Sequence, residues 1–253
     1  MLFRSQKPFR VRKTNFEDER PSQSVLPCSE TTVAKRLEPL VREPRLSRAA
    51  ALRLSLYLRC LRGEVTISSS QLALAVGVSD AQVRRDLAAL GHLGRRGIGY
   101  DVFALTFAIR KTLGIDRTWR AIIVGVGNLA RAFLRYRGFR EHGFEVVGLF
   151  DADPAKIGTV LEGLTVEPVE RLTARVPILK AEMGILTVPV EAAQSAADML
   201  CTGGIRGLLT FAPAILKVPP SVRVVPVDLT IQLEQLAFSV RSGEPKTSPK
   251  IRT

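Results

Sequence analysis

With 253 residues the chain has material for one large domain or two modest ones, enough in either case to bury a core. Its 37 Lys and Arg against 24 Asp and Glu leave a formal net charge of +13, which points to a polyanionic partner, nucleic acid above all, or to a solvated basic surface. Three scattered cysteines (Cys28, Cys60, Cys201) and two histidines make no CxxC pair, so no metal site is expected and the thiols read as idle in a reducing compartment.

No apolar run approaches the roughly 18 residues that span a bilayer, and the opening MLFRSQKPFRVRK has no apolar stretch of the secretory kind. No membrane role is expected, and a cytoplasmic location is. Residues 1–43 mix charge with Pro, Ser and Thr without periodicity and read as a disordered basic arm. Residues 242–253 read as a loose tail.

From Ser47 to Leu61 apolar residues recur at helical spacing (Ala50, Leu54, Tyr57, Leu58, Leu61), with Gly63 as the stop. Two short helices follow, SSSQLALAV and SDAQVRRDLAAL. Ser68 with Gln71 and Ser79 with Gln82 each spell a capping box, in which hydroxyl and amide satisfy free N–H groups at the helix start. The short Gly77-Val78-Ser79 link makes the pair a helix-turn-helix. In that motif the start of the second helix meets base edges in the major groove. Val83 and Leu87 then belong to the core. Ser79, Gln82, Arg84 and Arg85 are the candidate DNA contacts, Gln82 for adenine and Arg85 for guanine or phosphate. The stretch GHLGRRGIGYDV (91–102) sets Arg95 and Arg96 between glycines ahead of a β-like segment, the pattern of a wing whose arginines reach backbone phosphate or the minor groove.

From Trp119 the pattern changes to strands separated by helices. Strands are expected at RAIIVG, EVVGLF, GLTVEP, MGILTVP, IRGLLTF and VRVVPV, and helices near 128–138, 168–174 and 190–202. That alternation implies a parallel sheet covered on both faces. The first strand breaks into Gly125-Val126-Gly127-Asn128-Leu129-Ala130. Gly125 allows a sharp turn, Gly127 removes a side chain from the path of a pyrophosphate, and Ala130 stands at the third glycine position. The helix that follows aims its free N–H groups and dipole at phosphate. Asp151, about two dozen residues on, ends the second strand, where a carboxylate binds the ribose 2′-hydroxyl and repels a 2′-phosphate. NAD⁺ and NADH are therefore expected rather than their 2′-phosphorylated forms.

QVRRDLAALGHLGRRGIGYDV (82–102), IIVGVGNLARAF (122–133), GFEVVGLFDADPAKIG (143–158), LTVPVEAAQSAAD (186–198) and FAPAIL (211–216) together resemble the redox-sensing transcriptional repressor Rex family. The similarity runs from about Ser47 to Val240 in the family's order. It implies an α/β protein: a winged helix-turn-helix domain (44–110), a linker (111–118), a Rossmann domain binding NADH and NAD⁺ (119–226), and a C-terminal helix (227–241) that swaps across a homodimer. Leu229, Leu233, Leu236 and Ala237 suit that helix. By the same resemblance Thr187 and Pro189 lie beside the cofactor, and Tyr136 lies near the nicotinamide and pairs with the partner's Asp228 in one state. Arg59 competes for that aspartate in the other. Ala130, Thr210, Arg85 and Leu229 depart from the residues common in the family.

The function implied is repression: the homodimer binds double-stranded operator DNA and NADH releases it, with no catalysis. Two rivals stand beside it, an NAD-dependent dehydrogenase and a DNA-binding protein without redox control. The first needs an acid or base beside the nicotinamide, and neither His92 nor His142 is well placed for that.

Overall fold

The computed structural model describes residues 46–243 except 62, 64, 96 and 137; the arm expected over 1–43, Arg96, and the tail beyond 243 lie outside the described residues. The front of the chain builds a small helical body. Helix α1 (Arg48–Cys60) starts where Ser47 Oγ accepts from Ala50 N–H, and it buries Ala50, Leu54 and Tyr57 along one stripe. Helix α2 (Ser69–Val76) carries a complete capping box, with Ser68 and Gln71 bonded reciprocally, and ends at Gly77 in the left-handed conformation. Helix α3 (Asp80–Ala88) follows, with Val83 and Leu87 buried as expected.

Only half of the second capping box forms. Ser79 Oγ accepts from Gln82 N–H, but the Gln82 amide does not return to the cap. It has a stronger partner in Asp86, an ionised acceptor one turn further on.

Three short strands, β1 (Thr66–Ile67), β2 (Gly94–Arg95) and β3 (Gly99–Asp101), form an antiparallel sheet in the order β1-β3-β2. The β2–β3 hairpin is the wing. Gly99 lies at φ +99°, and a Cβ there would meet Ile67 O at 2.5 Å, so the wing root admits only glycine. Helix α4 (Val102–Leu113) closes this body, capped by Asp101 and ended by Gly114. Leu54, Tyr57, Leu72, Val83, Leu87, Leu105 and Ile109 fill its core. After α4, the Trp119 indole N–H donates to Gly114 O at 2.6 Å, and the Arg117 guanidinium lies 3.7 Å over the Trp119 ring.

The rest is a seven-stranded sheet in the order β10-β9-β8-β4-β5-β7-β6. Its strands are β4 (Trp119–Val124), β5 (Phe144–Asp151), β6 (Val160–Leu161), β7 (Leu164–Pro168), β8 (Met183–Leu186), β9 (Gly207–Thr210) and β10 (Arg223–Pro226). All pairings are parallel except β6–β7, an antiparallel edge too short for the sequence pattern to mark. Helices α5 (Asn128–Arg135) and α6 (Gly138–Glu141) follow β4, α7 (Leu172–Ile178) follows β7, and α8 (Val190–Thr202) follows β8. The helix expected over 128–138 is thus two pieces, because Tyr136 takes an extended backbone that ends α5. The helix expected near 168–174 starts with a 3₁₀ turn (Val169–Arg171) and runs on to Ile178.

Alternation along β4 divides the core. Ile122 and Val124 pack with Leu172, Val176, Ala197 and Leu200 beneath α7 and α8, whereas Ile123 packs with Ala130, Leu149 and Val166 beneath α5. The expectation of cover on both faces holds only in part. On the α5 side an apolar groove of about 370 Å³ runs from Phe133, Phe139 and Phe144 across β8 to β10, lined by Met183, Ile185, Leu209 and Val225. Helix α9 (Leu229–Ser242), begun by Asp228, buries none of its residues; Leu229, Leu233, Leu236, Phe238 and Val240 are all exposed.

Candidate cofactor cleft and DNA-reading head

Strand order reverses at β4, which has β5 on one side and β8 on the other. In open α/β sheets ligands bind outside the carboxyl ends of the strands at such a point. Gly125 leaves β4 there at φ +91°, and a Cβ on it would lie 2.7 Å from Val188 Cγ1 and 2.8 Å from Thr187 O. Thr187, just after β8, clamps the turn: its Oγ1 donates to Gly125 O at 2.6 Å. Gly127 differs, for a Cβ there would meet nothing within 4 Å. Above it the N–H groups of Asn128, Leu129 and Ala130 precede the first intrahelical bond, from Arg131 N–H to Gly127 O at 3.1 Å. Gly127 offers no side-chain cap, and these first-turn donors have no hydrogen-bond partner among the described residues, the arrangement of a helix start that receives an anion. Ala130 is fully buried against the sheet, which is why a methyl is accepted at the third position.

Asp151 sits at the end of β5, 7% exposed. Its Oδ2 accepts from Val126 N–H at 2.6 Å and from Lys156 Nζ at 3.1 Å, and its Oδ1 accepts from Asp153 N–H at 2.9 Å. Burial alone would raise its pKa; the backbone donors of Asp153 and Val126 and the Lys156 ammonium outweigh that and hold it below the usual carboxylate range. Of about four acceptor positions on a carboxylate, one stays open for a ribose hydroxyl. The Val126 N–H is engaged, so Val126 shapes the turn. Lys156 escaped sequence reasoning; its only signal was a lysine five residues after the acid in DADPAK.

Pro189 begins α8, and Thr210, at the end of β9, is fully buried with Oγ1 accepting from Ala212 N–H at 3.2 Å. Tyr136 is exposed and meets Phe139 edge-on at 5.2 Å. Asp228 caps α9 by accepting from Thr230 N–H at 2.8 Å, and Arg59 is exposed in the last turn of α1. Among the described residues no hydrogen bond or ion pair joins Arg59, Tyr136 and Asp228 to one another. His142 lies before β5, at the far end of that strand from Asp151, and His92 is exposed ahead of the wing. Among the described residues no cluster of three His, Cys, Asp or Glu could hold a metal, and no helix is long and apolar enough to cross a membrane.

In the head, Ser79 at the cap and Arg85 and Arg95 on α3 and the wing are exposed, and Arg84 pairs with Asp80 at 3.2 Å across one turn. Gln82 is half-buried: its Nε2 donates to Asp86 Oδ1 at 2.8 Å, and its Oε1 accepts from an Arg85 N–H at 2.9 Å. Asp86, missed in the sequence, is 5% exposed and also accepts from Arg53 Nε (2.6 Å), from an Arg53 terminal N–H (2.7 Å) and from Tyr57 O–H (2.9 Å). Burial opposes its ionisation, but Arg53, Tyr57 and Gln82 overcome that and keep its pKa low. Burial, and then Asp86, push Tyr57 upward.

A winged helix-turn-helix on one chain with a dinucleotide-binding sheet defines a ligand-responsive DNA-binding regulator. The comparisons agree at both ends. A family described as "CoA binding domain" matches residues 116–214, and one described as "Putative DNA-binding protein N-terminus" matches residues 45–88. The chain is 46% identical over 201 residues to the redox-sensing transcriptional repressor Rex of Desulfitobacterium hafniense, covering 78% of this chain and 96% of that protein. It is 45% identical over 202 residues to the Rex of Carboxydothermus hydrogenoformans, covering 78% and 97%. A crystal structure of RSP in complex with NAD⁺ and operator DNA superimposes with a TM-score of 0.74 at 34% identity, over 78% of this chain and 94% of that one. RSP in complex with NADH gives 0.72 at 33%, over 79% and 96%. The chain belongs to the Rex family of redox-sensing transcriptional repressors. It is a regulator and not an enzyme.

Proposed function

We propose that this chain binds operator DNA as a homodimer in the cytoplasm and releases it when NADH fills the cleft at the glycine-rich turn. The observation that carries this reading is the open cradle over Gly127 on the same chain as a basic winged head. The first-turn donors of α5 and the open acceptor position of Asp151 suit the pyrophosphate and a ribose hydroxyl of an NAD-type dinucleotide, and a 2′-phosphate would face the Asp151 charge.

Bound nicotinamide supplies one difference, a positive ring in NAD⁺ that is neutral in NADH. Residues that sense it are Tyr136, Asp228 and Arg59. Each lies on a separate element, and in this reading a second copy brings Asp228 to Tyr136 or to Arg59. The dimer reading rests on two apolar surfaces the described residues leave open, the stripe on α9 and the groove over β8–β10. A helix donated by each copy covers both. On DNA, Gln82, Arg85 and Ser79 face base edges, and Arg84, Arg95 and Arg96 serve the backbone. A state preference of about 1.4 kcal/mol shifts the dimer's populations tenfold, and ~5.5 kcal/mol inverts a 1:99 ratio.

Operator binding measured while NADH is titrated, with NAD⁺ as the comparison, tests the proposal. Binding falls with NADH and persists with NAD⁺; undiminished binding at saturating NADH refutes it. A parallel fluorescence titration of NADH shows whether the cleft fills at all.

A further inference from the structure

Gln82 at the start of α3 and Arg53 and Tyr57 on α1 all donate to one buried carboxylate, that of Asp86. We infer that Asp86 is a positioning residue for base reading, one that fixes which way the Gln82 amide faces and, through it, where Arg85 points. This rests on the reading of α3 as the recognition helix.

A carboxylate accepts and never donates when ionised. Asp86 Oδ1, 2.8 Å from Gln82, therefore accepts only the amide N–H₂ and rejects the amide oxygen. The Gln82 oxygen is left to face Arg85, which donates to it at 2.9 Å. Gln82 so held keeps one free N–H and one free lone pair, the complement that adenine N7 and N6–H₂ require. Arg85 is drawn alongside in the same step, with its remaining guanidinium donors unclaimed.

Asp86 itself is held from below. Arg53 grips both of its oxygens at 2.6 and 2.7 Å, and Tyr57 O–H adds a third bond at 2.9 Å. Both come from α1, which packs behind the reading helix as part of the same core. The plane of the carboxylate, and with it the Gln82 amide, is thereby referred to a rigid element instead of to the flexible glutamine stem. Pre-oriented groups lose less freedom on binding, which sharpens the difference between right and wrong bases.

Asp86→Asn keeps the shape but gives position 86 a donor, so the Gln82 amide is free to reverse. The test uses the full chain, a duplex that the wild type selects from a random-sequence pool, single-base variants of that duplex, and a scrambled duplex. Asp86→Asn is expected to flatten discrimination at one base step by about tenfold, with affinity for the scrambled duplex unchanged. In a Gln82→Ala background the same substitution should change discrimination no further. Tyr57→Phe, which removes one of the bonds that hold the carboxylate but leaves Arg53 on both oxygens, should lower thermal stability and cost less discrimination than Asp86→Asn. If Asp86→Asn does not fold, Arg53→Lys serves instead, since it loosens the carboxylate's second oxygen, and partial loss of discrimination is expected. Equal loss on selected and scrambled duplexes, or full discrimination with the folded variant, overturns the inference. If Gln82→Ala and Arg85→Ala leave base preference untouched, the reading of α3 fails first, and the role of Asp86 falls with it.

Discussion

Val126 N–H donates to Asp151 Oδ2 across 2.6 Å, tying the glycine-rich turn to the end of the next strand before any ligand arrives. The acid proposed to meet the ribose thus also sets the shape of the loop proposed to meet the phosphates. Asp151→Asn should therefore harm both. We expect NADH affinity to fall about tenfold or more, and stability to drop by ~1–3 kcal/mol from the weakened charge-assisted bonds. Calorimetric titration and thermal melts check these together. The sign of the pH effect follows from the lowered folded pKa. Below roughly the unfolded value of 3.9 the unfolded chain binds a proton that the folded chain resists. The contribution of Asp151 is thus complete above that value and lost as pH falls through the folded one. Asp151→Asn should flatten that part of the acid limb.

The two glycines of the turn should respond in opposite ways. Gly125→Ala places a methyl against Val188 and Thr187 in a left-handed backbone and should cost ~2 kcal/mol or more of stability. Gly127→Ala, at φ −96° with open space around it, should leave the melting temperature nearly unchanged and abolish NADH binding by filling the phosphate cradle. Unimpaired binding in Gly127→Ala would mean that the dinucleotide lies elsewhere.

Leu233 and Leu236, on the stripe of α9, are 65% and 59% exposed. Leu233→Glu with Leu236→Glu should barely alter the fold of one copy but should shift sedimentation from dimer to monomer. Operator affinity should fall with it, because half-sites are no longer held together. A doubly substituted chain that still sediments as a dimer would assign the interface to another surface.

Redox sensing here should not involve the thiols of Cys60 and Cys201. Burial raises both, with Asp198 adding to the effect at Cys201, so little reactive thiolate forms near neutral pH. A chain carrying Cys60→Ser and Cys201→Ser should lose its operator with NADH as the wild type does. A variant deaf to NADH would transfer the signal to sulfur.

Arg95 on the wing is exposed and without an ion-pair partner among the described residues. Arg95→Ala should weaken binding to selected and scrambled duplexes alike and lower the slope of log affinity against log salt by about one.

What the sequence disclosed was whatever depends on neighbours in the chain. The apolar strands ending at Val124 and Asp151, the bounds of Val190–Thr202, the Ser68 capping box and the wing glycines were all legible, because each is set within a few residues. Asp86 was not. In RRDL it looks like one more solvated acid, and its partners Arg53 and Tyr57 lie 33 and 29 residues away. The same competition undid the second capping box, since local rules do not know that Gln82 has a better acceptor. The open sheet face escaped for another reason: Leu209 and Val225 alternate as any half-covered strand does, whatever molecule provides the cover.

Trp119 is the chain's single tryptophan, and it stands where the last helix of the front body gives way to the sheet. Its indole is pinned to Gly114 and roofed by Arg117. The chain thus carries a built-in optical gauge at the junction of α4 and β4. Ultraviolet emission from that one ring reports on both halves at once, without any dye attached.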